Sequence, residues 1–173
     1  MGTDATEVRI ESASEIARGL RDELERWTDE VFGHIAYQWA TPQWYAAART
    51  GGLLTGSLTV VTREITAGDE RVLLAGIGNV VTKQEHRRRG VATAMLRAAE
   101  ELMHTKLGAE FGLLICQRAV APVYKQAGWT RVEGPTRFWQ ASGVVTYPQD
   151  TMILKLTARR WPDGPINLCG LPW

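Results

Sequence analysis

The chain is short of several things. It has two cysteines in 173 residues, Cys116 and Cys169, which can pair only once and so cannot staple a small secreted domain. Cys116 lies in the apolar run Leu113-Leu114-Ile115-Cys116, the setting of a small buried thiol. Both are therefore expected to be reduced, in a cytoplasmic protein. Charge of one sign is missing too: 20 Lys+Arg stand against 19 Asp+Glu, a net +1. Such a chain has no global field to hold nucleic acid or an anionic membrane, and any polyanion contact must be local. No window approaches the ~20 apolar residues of a membrane helix, and Met1 to Glu7 carries no basic segment followed by an apolar one, so neither secretion nor membrane insertion is expected. The three histidines, His34, His86 and His104, have no metal-binding spacing, and no metal is expected. With no internal repeat and no linker, residues 1–173 read as one domain.

What is present is a clear change of period along the chain. Val8–Glu11 alternates like a half-buried strand, and Ser12-Ala13-Ser14-Glu15 has the spacing of a capping box. A helix to about Phe32 should follow, burying Ile16, Leu20, Leu24, Trp27 and Val31, with Gly33 ending it. His34–Trp44, with Tyr37, Trp39, Trp44 and Pro42, reads as an aromatic loop or broken helix. Leu53–Thr62 and Arg71–Thr82 predict an antiparallel pair around the turn Thr66-Ala67-Gly68-Asp69. From Arg88 the period becomes helical, through Val91, Met95, Ala98 and Leu102, and Gly108 closes the helix. Phe111–Gln117 reads as a buried strand, Pro122–Ala127 as a short helix ended by Gly128, and Trp129–Val132, Arg137–Gln140 and Met152–Thr157 as short strands before a Pro/Gly-rich tail, Arg159–Trp173. The order implies an α+β, or mixed α/β, domain around a central sheet.

One turn stands out. Lys83-Gln84-Glu85-His86-Arg87-Arg88-Arg89-Gly90-Val91-Ala92-Thr93 concentrates basic residues between a strand and a helix. A helix N-terminus presents free N–H groups and a partial positive charge, and Gly90 and the small Ala92 let a ligand reach the backbone. A phosphate ester or pyrophosphate fits that chemistry. Neither a P-loop nor a dinucleotide-binding Gly motif occurs after a strand. A solvated basic turn is the plain alternative.

Arg87-x-x-Gly90-x-Ala92 resembles the Gln/Arg-x-x-Gly-x-Gly/Ala motif of the GNAT acetyltransferase superfamily, and Tyr124-Lys125-Gln126-Ala127-Gly128-Trp129 is similar to that superfamily's second Tyr-containing segment. The resemblance covers roughly residues 70–132 and implies a GNAT-like central mixed, mostly antiparallel twisted sheet flanked by helices. It implies acetyl-CoA as cosubstrate, with its pyrophosphate on Arg87, Arg88, Arg89, Gly90, Val91, Ala92 and Thr93, and its pantetheine arm on Val80, Val81 and Thr82, where the strand splays from its neighbour. Gly134-Pro135-Thr136, Tyr147-Pro148-Gln149-Asp150 and the closing Trp173 resemble the aminoglycoside 2′-N-acetyltransferases. That resemblance implies an amino-sugar substrate gripped by Asp150 and the carboxylate of Trp173; Tyr37, Trp39 and Cys116 complete the candidate substrate site. The chain departs from this pattern at Gly78, where the subfamily has an acidic residue, so kasugamycin-type acceptors also stay open.

The expected chemistry is direct transfer of acetyl to a primary amine, with backbone N–H groups at Val81–Thr82 on the oxyanion and Tyr124 as proton donor to the departing thiolate. Cys116, inside an apolar strand, does not suit a covalent role. A GNAT enzyme acting on a protein amine and a non-catalytic acyl-CoA-binding protein are the competing readings. Nucleic acid and membrane are not expected partners, and a homodimer is left open.

Overall fold

The computed structural model describes residues 5–173; Met1–Asp4, on which part of the leaderless reading rests, lie outside the described residues. Elements follow in the order β1 (Thr6–Ser12), α1 (Arg18–Phe32), β2 (Trp44–Thr50), β3 (Leu53–Ala67), β4 (Glu70–Thr82), α2 (Val91–Thr105), β5 (Phe111–Cys116), α3 (Ala121–Gln126), β6 (Thr130–Arg131), β7 (Thr136–Gln140), β8 (Gly143–Thr146), β9 (Asp150–Lys155) and β10 (Ile166–Asn167). Single 3-10 turns precede α2 and α3. The strands form one mixed sheet in the order β6-β9-β5-β4-β3-β10-β7-β8, with β2 also on β3 and β1 on β2. Among the described residues only β4–β5 and β10–β7 pair in parallel. This is the expected α+β class with a mostly antiparallel sheet.

Helix α2 lies on one face, where Val91, Met95, Leu96, Ala99 and Met103 pack on Ala46, Ala48, Leu58, Val60, Ala75 and Ile77. On the other face α1 covers Tyr45, Ala47, Leu54 and Val81 with Leu24 and Trp27. Farther along that face Val61, Ile65, Val72, Leu74, Phe111 and Leu113 are roofed by Phe138, Ile166, Leu168 and Trp173. Each fully buried side chain of this size contributes about 1.5–3 kcal/mol relative to exposure.

Several expectations are corrected. Ser12 and Glu15 do bond as a capping box, Oγ donating to Oε2 at 2.7 Å, but they close a turn, and α1 begins only at Arg18. Val31 is exposed, and Phe32 packs against the α1 cluster in its place. On α2 the fully buried residues are Val91, Met95, Leu96, Ala99 and Met103, whereas Ala98 and Leu102 are half-buried, Leu102 at the edge of the same cluster. β2 was not expected at all: Trp44, Tyr45 and Thr50 favour strands, but the three alanines between them do not and show no alternation. It is a strand because alanines are what two helices, one on each face, leave room for. Trp44 accordingly leaves the aromatic loop and meets Lys106 on the α2 side, Nζ 4.5 Å from its ring centroid. β3 runs to Ala67, β9 starts at Asp150, β8 pairs with β7, and β10 makes the tail part of the sheet.

Candidate active site

β4 pairs with β5 only through Leu74↔Phe111, Ala75↔Gly112 and Gly76↔Leu113. From Ile77 to Thr82 its edge toward β5 is unpaired, whereas its other edge stays bonded to β3. The two strands part as expected. A bulge shapes the free stretch: the β3 register jumps from Ser57↔Val81 to Thr59↔Gly78, and Asn79 takes a left-handed φ of 54°, a conformation Asn tolerates better than most residues. Asn79 Nδ2 donates to Thr59 Oγ1 at 3.0 Å, which fixes it.

The free edge runs straight into the basic turn. Arg88 and Gly90 have left-handed φ values of 60° and 80°, a backbone curl that points successive N–H groups to one side. Gly90 is the N-cap of α2 and offers no side-chain acceptor, so the first-turn N–H groups remain available to an anion. A Cβ on Gly90 would meet nothing within 4 Å, and Arg87, Arg88 and Arg89 are exposed. Arg87 Nε donates to Thr82 O at 3.3 Å, tying the turn to the strand end. The helix comes this close because Gly56 has no side chain: a Cβ there would lie 2.8 Å from Val91 Cγ1 and 2.9 Å from Met95 Cε. Val80, Val81, Thr82 and the 87–93 turn thus form one continuous polar track, chemically suited to a pantetheine arm ending in a pyrophosphate.

Beside the parting strands, Tyr37 packs edge-on against Trp39, centroids 5.8 Å apart, and against Phe138 at 5.1 Å. Tyr147, quoted in the sequence within Tyr147-Pro148-Gln149-Asp150 but given no role in the site, lies 6.5 Å from Phe138. Its position just before Pro148 and β9 was the available signal. Trp173 is buried on the same face, with its Nε1 donating to Leu113 O at 3.3 Å. A Cβ on Gly78 would lie 2.6 Å from the main-chain carbonyl carbon of Trp173. The tail therefore fills the space that a side chain at Gly78 would need.

Asp150 is elsewhere. It pairs with Cys116 in the β5–β9 register, on the face opposite the Trp173 core, since cross-strand partners share a side. Its carboxylate is buried and already held by Arg131 Nε at 3.2 Å and Arg118 at 3.5 Å. The fold does not bring Asp150 and Trp173 together on one face.

Tyr124, on α3, packs against Trp129 with centroids 6.5 Å apart. Burial, and then the neighbouring Cys116 and Tyr147, push its phenol well above the ordinary value. Burial followed by Asp150 raises the Cys116 thiol to about 11, and burial followed by Cys116 raises Tyr147 to about 12. These groups are neutral near pH 7. Cys116 is consequently a poor nucleophile, while Tyr124 retains its proton. Among the described residues no three His, Cys, Asp or Glu side chains gather in a metal-binding group, and no helix is long and apolar enough to cross a membrane.

A mixed sheet whose central parallel pair opens beside an uncapped, basic helix start defines an acyl-CoA-dependent transferase fold. The chain belongs to the GNAT acetyltransferase domain family, whose model matches residues 21–132. It is similar to an aminoglycoside 2′-N-acetyltransferase of Mycolicibacterium fortuitum, 25% identical over 146 residues that cover 82% of this chain and 74% of the relative. Among solved structures, Escherichia coli ElaA superposes with a TM-score of 0.63 at 15% identity, covering 87% of this chain and all of that one. E. coli YhbS, solved with CoA, superposes at 0.58 and 12% identity over 98% of this chain and 92% of that one. The protein is thus an N-acetyltransferase of the GNAT type.

Proposed function

We propose that the protein transfers acetyl from acetyl-CoA to a primary amine of an aminoglycoside-type amino sugar, the 2′-amine by analogy with its relative. The observation that carries the transfer reading is the unpaired β4 edge, Ile77–Thr82, leading without a break to the uncapped start of α2. Acetyl-CoA supplies an activated acyl thioester. Arg87, Arg88, Arg89 and the N–H groups of the Gly90–Thr93 turn would hold its diphosphate, and Val80, Val81 and Thr82 would bond its pantetheine amides. An N–H on the free edge at Val81–Thr82 would receive the developing oxyanion, an effect worth about 3–4 kcal/mol where a single such donor has been removed elsewhere. Tyr124 would donate to the departing sulfur. Its raised phenol is a weaker acid than a free thiol, but the same desolvation raises a thiol beside it, as Cys116 shows, so the mismatch narrows.

The acceptor side supports a sugar better than a peptide. Tyr37, Trp39 and Tyr147 offer aromatic walls, and Trp173 presents a main-chain oxygen above Gly78. Exposed Asp29 and Glu30 at the end of α1 supply negative charge for a polycation in place of the occupied Asp150. Steady-state turnover of acetyl-CoA against aminoglycosides, kasugamycin, amino acids and peptides tests this. Turnover with aminoglycosides is expected. Peptide alone would remove the antibiotic reading, and binding of acetyl-CoA without any accepted amine would favour a sensor.

A further inference from the structure

Gly76 is the last residue of β4 in register with β5, and the indole of Trp173 stands where its side chain would be. A Cβ on Gly76 would lie 1.8 Å from Trp173 Cε2 and 2.0 Å from Nε1. That Nε1 donates to the carbonyl of Leu113, the last β5 residue in register with β4. One side chain therefore spans the point at which the two strands part.

Arg63 of β3 holds it from the other side. Its guanidinium sits 5.3 Å from the centroid of the Trp173 ring, and NH1 donates to the carbonyls of Leu168 at 3.0 Å and Leu171 at 2.8 Å. Gly170 makes room for it, since a Cβ there would lie 2.9 Å from the same NH1. The segment is tied onward: Pro172 O accepts from Ala40 N at 2.7 Å, in the loop that carries Tyr37 and Trp39. A tryptophan that only filled core space would need neither a glycine notch under it nor a half-buried cation over it.

We infer that Trp173 and Arg63 are positioning residues, a latch that fixes the aromatic loop 33–43 and the Gly78–Val81 stretch as one acceptor wall. The inference rests on the transferase reading above. The latch acts on acceptor binding and leaves the acetyl-CoA cradle, Arg87–Thr93, untouched, because none of its contacts reaches α2. Gly76→Ala breaks it without altering any latch residue: the new methyl expels the indole. In a Trp173→Ala background there is no indole to expel, so Gly76→Ala adds nothing.

The test is a double-mutant cycle on the full chain, with tobramycin, an aminoglycoside bearing a free 2′-amine, as the acceptor probe. Gly76→Ala and Trp173→Ala are each expected to raise the acceptor KM by about tenfold or more, with kcat little changed. Acetyl-CoA affinity by calorimetry stays at the wild-type value, and the double variant matches Trp173→Ala alone. Hydrogen exchange, which needs no acceptor, should quicken at residues 35–40 and 77–81 and stay unchanged at 87–93. Trp173→Phe, which keeps an aromatic ring but loses the Leu113 bond and part of the indole's volume over Gly76, should show a smaller KM rise. Additive effects of the two substitutions, or unchanged KM and exchange in Gly76→Ala, overturn the latch. Loss of acetyl-CoA binding in the wild type overturns instead the transferase reading.

Discussion

The two sides of the site are built by different means. The donor side is local: a strand end, a turn and a helix start, all within Ile77–Thr93, with every needed group contributed by consecutive backbone. The acceptor side is assembled from a loop between α1 and β2, the end of β8, the face of β4 and a tail that returns from the far end of the chain. The first is fixed by backbone conformation, the second by packing of distant aromatics, and they should fail under different insults.

The sharpest break is expected at the donor turn. Gly90 sits at φ 80° as the N-cap of α2, so Gly90→Val places a β-branched residue in a left-handed conformation, at roughly 1–3 kcal/mol of strain, and sets methyl groups over the free N–H groups. Acetyl-CoA affinity by calorimetry should fall by about a hundredfold, while the aromatic acceptor wall stays intact by near-ultraviolet dichroism. A cofactor affinity within threefold of wild type would show that the turn is only a solvated basic loop.

That contrast explains what could be read in advance. The strand pair around Gly68, the Arg87-x-x-Gly90-x-Ala92 turn and the Tyr124 segment are short-range patterns, and each fell where its spacing placed it. By composition the tail was legible only as Pro/Gly-rich, with a role for Trp173 only by resemblance, because the reason Trp173 is buried lies in the missing side chain of Gly76, far away in the sequence. β2 hid for a related reason: three alanines carry no pattern until two helices are placed against them. Asp150 shows the limit of transferring a role by position, since two arginines hold its carboxylate.

A second prediction separates chemistry from binding. Tyr124→Phe removes the phenolic proton and keeps the packing on Trp129, so kcat should drop by about a hundredfold with acetyl-CoA affinity unchanged. An undiminished kcat would assign Tyr124 to packing alone.

The cysteines compare the sheet interior with the tail. Cys116 is buried and its thiol is pushed up to about 11, leaving only about a thousandth as thiolate at pH 8. Cys169, in the tail, is exposed. Iodoacetamide at pH 8 should label Cys169 first, by about two orders of magnitude in rate, as read by peptide mass mapping. Because burial raises Cys116 in the fold, its contribution to stability is complete below the ordinary thiol value and is lost as pH rises toward about 11. Equal labelling rates would mean that the end of β5 opens more readily than its burial and its pairing with β9 allow.

The smallest expected effect lies at the root of the tail. Glu110 accepts from Arg159 NH1 at 2.6 Å and from Leu73 N at 3.0 Å; the arginine first, then the amide, hold its carboxyl below the usual carboxylate range. A depressed acid contributes stability above its unfolded value and loses that contribution as pH falls through the folded one. Both partners are about a third exposed, so solvent screens the pair, and Glu110→Gln should lower Tm by only about 2 °C at pH 7. Below the usual carboxylate range the variant and the wild type should converge. A loss of acetyl-CoA affinity in this variant would contradict the separation of the two sides, since Glu110 joins the tail to the closed ends of β4 and β5, away from the donor turn.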